Sequence, residues 1–214
     1  MSPRIDLTWP TVPDDDLLEQ THRVIHAVVA AGGAVGYVTP PGRADTDPFV
    51  REILADAAHG RAALALARVD GVVQAMGLWK RASAQVFAHS GEIGKVMAHP
   101  AARGLGLGRL VLAGLVDSAR AAGLETLTLG ARGNNHGAIE LYEEMGFREW
   151  GRLPNVIEVG MERFDEVRMY LDLGTRDPRV VLRGSPPGGA GSSPRRRLRA
   201  GGRGEGHRNG HISQ

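Results

Sequence analysis

The sequence predicts an α/β (α+β) fold in which a mixed β-sheet is covered by helices. Three observations carry this reading. Apolar runs of strand length stand before, between and after segments with helical periodicity, the element order of a helix-covered mixed sheet. Two long apolar runs flank Asp70-Gly71, the strongest short hairpin signal, so part of the sheet is antiparallel. Residues 92–109, EIGKVMAHPAARGLGLGR, read as a strand, a proline stop, a glycine-rich turn and the start of a helix.

From the N-terminus, residues 5–9 form a first strand. Pro13 and Asp14 then open a helix, with Asp14, Asp15 and Asp16 favourably placed at its positive end. Leu17, Leu18, Thr21, Val24, Ile25, Val28 and Val29 give that helix a buried stripe, and Gly32-Gly33 close it. Residues 34–38 are expected as a short strand and 39–47 as a loop. Asp47-Pro48 is expected to open a second helix reaching Ala58, since proline suits the first helical position. Residues 61–69 and 72–80 make the hairpin, and 81–90 a polar connection.

The strand over 92–98 ends near His99 because Pro100 has no N–H to give a ladder. Leu107, Leu110, Val111, Gly114, Leu115 and Ser118 recur at helical spacing, and Gly123 stops that helix. Residues 126–131 form a parallel-type strand, 135–145 a helix and 147–152 a further strand. Residues 153–161, with Pro154 and Gly160, are expected as a loop. Residues 163–173 alternate, with Val167, Met169, Leu171 and Leu173 on one face, and make the last strand.

Composition excludes several classes. The 214 residues include no cysteine, which removes a disulfide framework, a thiolate nucleophile and a cysteine-based zinc site. The histidines show neither H-x₃-H nor H-E-x-x-H spacing, so no metal is expected. No apolar run approaches the ~20 residues of a membrane span. MSPRIDLTWP lacks the basic region and apolar core of a signal peptide, and a cytoplasmic location is the default. The net charge of +2 conceals an asymmetry: residues 175–214 hold nine of the 26 basic residues and two of the 24 acidic ones. The remainder, with 17 basic against 22 acidic residues, carries −5, so nucleic-acid binding by the body is unsupported. Residues 1–174 therefore read as the folded domain, and 175–214 as a disordered Gly/Pro/Arg-rich tail. Arg195–Arg197 and Arg199 in that tail read as a solvated cluster, with a nucleic-acid or acidic-membrane contact as the other reading.

The glycine-rich turn is the chemical signal. A turn feeding a helix exposes N–H groups that have no intrahelical partner, and the helix dipole adds about half a positive charge there. Glycine lets the backbone approach a bulky anion, which a pyrophosphate requires. Gly108 is followed by Arg109 and Leu110, so this is no Walker loop, and the glycines run G-x-G-x-G instead of G-x-G-x-x-G. Arg103-x-x-Gly106-x-Gly108 resembles the acetyl-CoA loop of the GCN5-related N-acetyltransferases (GNAT). Residues 135–147, from Asn135 through Ala138, Leu141, Tyr142 and Gly146 to Phe147, resemble the N-x-x-A-x-x-L-Y-x-x-x-G-F segment of the same superfamily. The two matches stand in the right order with one strand between them. The resemblance covers about residues 60–173 and is specific for the co-substrate, not for the acceptor.

The resemblance implies a GNAT fold, a central sheet splayed between its fourth and fifth strands with acetyl-CoA in the split. It implies transfer of acetyl to a primary amine by direct attack. Arg103, Gly104, Leu105, Gly106, Leu107, Gly108 and Arg109 would bind the pyrophosphate. Val96, Met97 and Ala98 would offer backbone donors to the pantetheine arm and the thioester carbonyl, and family members often bulge the strand here. Asn135 can cap its helix and also meet acetyl-CoA.

Two side chains are candidates for chemistry. An alkylamine of pKa ~10.4 is neutral only about 0.04% of the time at pH 7, a deficit of roughly 4.6 kcal/mol. Glu92 is the candidate base, or else a solvent-facing strand residue, and Glu158 or Glu162 are substitutes. Tyr142 matches the family tyrosine that protonates the CoA thiolate, or else is a packed helix tyrosine. His99 reads as structural. The acceptor is expected to be a small molecule, an amino acid or antibiotic-like amine. A protein N-terminus or lysine is the alternative acceptor, and a non-catalytic acyl-CoA sensor the alternative class. No membrane partner is expected, and a homodimer is left open.

Overall fold

The computed structural model describes residues 3–33 and 35–174. The tail, with Arg195–Arg197 and Arg199, lies outside the described residues. Along the chain the elements are β1 (Ile5–Thr8), α1 (Asp15–Ala30), α2 (Arg43–Ala58), β2 (Ala62–Val69), β3 (Val72–Arg81), β4 (Ser90–Ala98), α3 (Leu107–Ala121), β5 (Thr126–Arg132), α4 (His136–Glu144), β6 (Arg148–Val159) and β7 (Glu162–Asp172). The strands make one seven-stranded sheet in the order β1-β2-β3-β4-β5-β7-β6. All neighbours are antiparallel except β4 and β5, which α3 joins as a parallel crossover.

Local chemistry explains the first elements. The Asp14 carboxylate accepts the Leu17 N–H at 2.7 Å and caps α1, whose Leu17, Leu18, Thr21, Val24, Ile25 and Val29 are buried. Asp70 and Gly71 both take positive φ, 50° and 84°, which a two-residue hairpin turn matched to strand twist requires. Two apolar layers flank the sheet. α1 and α2 pack through Leu18, Ile25 and Leu54 on Leu64, Leu66, Met76 and Met97. On the other face Val111, Leu112 and Leu115 of α3 join Trp79, Ile93, Leu127, Leu129, Tyr142, Phe147, Val167 and Met169.

The feature that positions the site is a bulge in β4. The β3–β4 register slips between Met76 and Leu78, so Lys95 and Val96 together oppose Gly77. Lys95 takes the extra backbone turn with φ 53°. The alternation of β4 flips there: Ile93 and Val96 pack on the α3 side, while Lys95 and Met97 face α1 and α2. A bulge also adds twist and bends its strand. The parallel ladder with β5 accordingly stops after Ser90↔Thr126, Gly91↔Leu127 and Glu92↔Thr128.

Three expected boundaries are corrected. Residues 35–38 form no strand; the segment bends, and the Val35 carbonyl accepts a bond from the Lys95 side chain instead of a ladder. α2 starts at Arg43, one turn before the expected Asp47-Pro48 start. The Asp45 carboxylate accepts the Gly42 N–H at 3.0 Å and Arg43 chelates Asp47, which stabilises that extra turn. Pro48 is tolerated inside α2 because the carbonyl it leaves unpaired, that of Ala44, belongs to an exposed residue. β6 runs through the expected loop at 153–161. A register shift between Leu153 and Ile157 absorbs Pro154, and β6 is an edge strand, where a missing donor breaks no interior ladder. The long β6–β7 hairpin then closes over Gly160 and Met161.

α3 approaches β3 over Gly77, where an added Cβ would lie 2.7 Å from Val111 Cγ1 and 3.0 Å from Leu115 Cδ1. Gly77→Val is therefore expected to lose about 1–3 kcal/mol of stability by overpacking. Urea denaturation measures it; an unchanged midpoint and slope would show that α3 has room to shift.

Candidate active site

Beyond Glu92, β4 and β5 part, and the facing edges of both strands have no ladder partner. A cavity of about 750 Å³ opens there, walled by Lys95–Ala98 of β4, Gly130–Arg132 of β5, Tyr142 of α4 and Glu166 of β7, with the end of α1 across the top. Next to it lies the glycine loop. Gly104 and Gly106 have φ of 83° and 69°, and Gly106 is the left-handed N-cap of α3. No side chain is needed for that cap and none is present, so the donors stay bare. Among the described residues, the main-chain N–H groups of Gly104 through Arg109 have no acceptor. An added Cβ at Gly104 or Gly106 meets nothing within 4 Å, which leaves open space in front of those donors.

The other expected residues divide. Val96, Met97, Ala98, Arg103 and Asn135 line the cavity. Asn135 sits at the N-cap position of α4 but makes no side-chain cap bond, so among the described residues nothing holds its amide away from the cleft. The Leu107 side chain is buried in the core, and only its backbone faces the loop. Leu105 is exposed. Gly108 lies in the first turn of α3 with room for a Cβ 3.7 Å from Leu141, so no positive φ requires glycine there. The Arg109 guanidinium pairs with Glu144 and meets Met145 Sδ, tying α4 to the start of α3.

Tyr142 is buried and packs against Phe147 with ring centroids 6.0 Å apart. Its hydroxyl has no hydrogen-bond partner among the described residues, and desolvation pushes its pKa up to about 12. Glu92 is the last residue of the parallel ladder, at the vertex of the split. Its side chain is 57% exposed, and Arg168 Nη1, which also bonds Glu166 at 3.1 Å, lies 3.5 Å from its carboxylate. Glu158 pairs with Arg163 near the exposed tip of the β6–β7 hairpin, and Glu162 is exposed at the same tip, so neither lines the cavity. His99 is structural: its Nδ1 accepts the Ala101 N–H at 3.2 Å, and burial with nearby Arg23 lowers its pKa. Among the described residues no three His, Asp or Glu side chains gather as a metal site.

Three cleft residues were given no role in the sequence reading. Lys95 donates to the Val35 carbonyl and lies 5.1 Å from the Tyr37 ring centroid and 5.3 Å from that of Phe49. Burial lowers its pKa. Arg132 donates to the Gly32 carbonyl at 3.2 Å and stacks 4.9 Å over Phe164, while its Nε is buried without a partner among the described residues. Glu166 lies across Gly130 on the same face. The alternation of 163–173 was enough to place Phe164, Glu166 and Arg168 opposite the apolar face. Nothing in the local pattern marked the bulge that turns Lys95 inward.

A profile of the Acetyltransferase (GNAT) family matches residues 8–147. The chain is 38% identical over 61 residues to the L-methionine sulfoximine/L-methionine sulfone acetyltransferase of Salmonella typhimurium, covering 28% of this chain and 36% of that protein. It is 32% identical over 143 residues to the mycothiol acetyltransferase of Renibacterium salmoninarum, 65% of this chain and 39% of that one. The chain thus spans well under half the length of these relatives. A yncA structure from Salmonella typhimurium, solved with its cofactor acetyl-CoA, superposes with a TM-score of 0.68 at 24% identity over 83% of this chain and 96% of that one. The ribosomal-protein-alanine N-acetyltransferase of Brucella melitensis gives 0.68 at 22% identity, over 78% and 99%. At such identities these two show a shared fold.

The raised pKa of Tyr142 has a consequence for stability. A phenol ordinarily ionises near 10, so between about pH 10 and 12 the unfolded chain releases this proton while the native one keeps it. Native stability should fall across that window by about 3 kcal/mol more in the wild type than in Tyr142→Phe. Denaturation curves at several alkaline pH values measure the difference; parallel losses would show that the hydroxyl is not desolvated.

Proposed function

The chain belongs to the acetyltransferase (GNAT) family, and on that premise we propose that it moves an acetyl group from acetyl-CoA to the primary amine of a small molecule. The observation that carries this is the row of bare N–H groups from Gly104 to Arg109 beside the open edge of β4. Donors at a helix N-terminus suit a pyrophosphate, and an unpaired strand edge suits the amide-bearing pantetheine arm. Bound there, acetyl-CoA supplies an activated thioester acyl group. The names of the two relatives, both small-molecule acetyltransferases, support the acceptor class. No helix among the described residues is long and apolar enough to cross a membrane, and the proposal keeps the enzyme in the cytoplasm, with residues 175–214 outside the catalytic unit.

The roles follow from position. Glu92, at the vertex of the split, takes the ammonium proton of the acceptor through a relaying water, since Arg168 and solvent already engage its carboxylate. The bulge at Lys95 leaves the Val96 region of β4 unpaired toward β5, where a backbone N–H stabilises the developing oxyanion. Tyr142 Oη faces the departing sulfur. With its pKa near 12, full proton transfer to a thiolate of pKa ~8.5 is uphill by about 5 kcal/mol. Tyr142 therefore works as a hydrogen-bond donor to the thiolate, and the proton follows from solvent.

Gly106→Ala adds a Cβ where only open space faces the loop, at a left-handed position that costs about 1–2 kcal/mol. Its acetyl-CoA affinity by calorimetry is expected to fall at least about tenfold. Tyr142→Phe should lower kcat about 10- to 100-fold with little change in KM, because it removes a bond made mainly in the transition state. Glu92→Gln should flatten the acidic limb of kcat/KM. Wild-type affinity in Gly106→Ala would remove the phosphate-loop assignment, and full rates in both other variants would remove the roles given to Tyr142 and Glu92, leaving thiolate protonation to solvent.

A further inference from the structure

The charges of the cleft do not balance within the described residues. Each carboxylate that lines it already has a cation: Glu52 holds Lys80 at 2.7 Å, and Glu92 and Glu166 share Arg168 at 3.5 and 3.1 Å. Lys95 and Arg132 line the same cavity, and neither has a carboxylate within 4 Å among the described residues. They stand on opposite walls of the split, Lys95 on β4 and Arg132 on β5. Both reach the same short segment after α1, binding the carbonyls of Val35 and Gly32. Three Cα–Cα steps separate Gly32 from Val35, so their α-carbons lie within about 11 Å of one another.

Among the described residues, neither cation has its full set of acceptors. An ammonium has three donors and a guanidinium five, and each is matched here to one carbonyl. The rings of Tyr37, Phe49 and Phe164 attract the cations but accept no conventional hydrogen bond. Among the described residues Arg132 Nε is buried with no acceptor, a costly state for a charged group. The carbonyl bonds and ring contacts nonetheless fix both heads in place, so a ligand would meet them already oriented. A planar carboxylate fits the guanidinium fork and completes the ammonium.

We propose that Lys95 and Arg132 form a carboxylate clamp in the acceptor half of the cleft, so that the acceptor is an amine that also carries a carboxylate, of the amino-acid type. This rests on the acetyltransferase reading. It assigns the acceptor's anion to the side of the sheet that faces α1 and α2, away from the glycine loop. A merely structural role, stapling the segment after α1 across the split, is the rival.

The two are separated by matched acceptors. The L-amino acids and L-methionine sulfone are assayed with acetyl-CoA beside their carboxamides, which keep the amine and side chain but lose the anion. In the wild type the best acid is expected to exceed its amide at least about tenfold in kcat/KM, mainly through KM. Lys95→Met and Arg132→Met should each drive that ratio toward one, and Arg132→Lys, which keeps the charge, should keep most of it. A structural staple lowers acid and amide together and leaves the ratio intact, which would overturn the clamp. Equal rates for acid and amide in the wild type would overturn it while leaving the acetyltransferase reading in place. If no amine is acetylated, that reading fails, and calorimetry of the acids and amides against CoA-loaded protein decides the clamp: tighter acid binding, lost in Lys95→Met, supports it, and equal or absent binding overturns it.

Discussion

The interruption of the sheet at one point governs the rest of the molecule. Lys95 and Val96 share one partner, Gly77, and from this bulge follow the orientation of Lys95, the inversion of the side chains after it and the early end of the β4–β5 ladder. A sheet without that slip would bury its main-chain groups in continuous pairing. Here two strand edges keep theirs open, next to a helix whose first donors are also open. Gly77 is part of the same device, because its missing side chain lets α3 lie against β3 directly behind the bulge. The fold thus places unsatisfied backbone where a polar, extended ligand can complete it.

The cleft is electrically divided. At one end are backbone dipoles at a helix N-terminus with Arg103 beside them. At the other are side-chain ions on the polar face of β4, β5 and β7, most of them in pairs. Between the two lies Tyr142, desolvated enough that its hydroxyl resists ionisation. This ordering makes a proton on Tyr142 secure at neutral pH, so the hydroxyl donates and does not become a second anion beside a leaving thiolate. The surrounding body carries −5, so the cationic groups of the cleft stand against the general field and act at short range.

Much of the fold and part of the site were legible in the sequence. Asp70-Gly71, the Pro100 stop and the Gly106–Leu107 helix start are local chemistry, and local chemistry survives folding. Two of the misplaced boundaries share one cause, proline read as the edge of an element. Pro48 sits within a helix that a carboxylate cap and an ion pair had already started, and Pro154 sits in a bulge of an edge strand. Both tolerances depend on exposure, which the sequence does not state. Glu92 and Tyr142 could be singled out from their motif positions. Lys95 and Arg132 could not, since their partners are carbonyls and rings brought from the segment after α1, from α2 and from β7.

Amide hydrogen exchange with and without acetyl-CoA tests most directly whether the open backbone is the binding surface. In the free protein the bare N–H groups of residues 104–109 and those on the open edge of β4 over 93–98 should exchange quickly. Saturating acetyl-CoA should slow both stretches while β1, β2 and the β6–β7 tip keep their free rates. Slowing confined to other segments, or none at all at a concentration where binding is complete, would contradict the assignment of the split as the acetyl-CoA site.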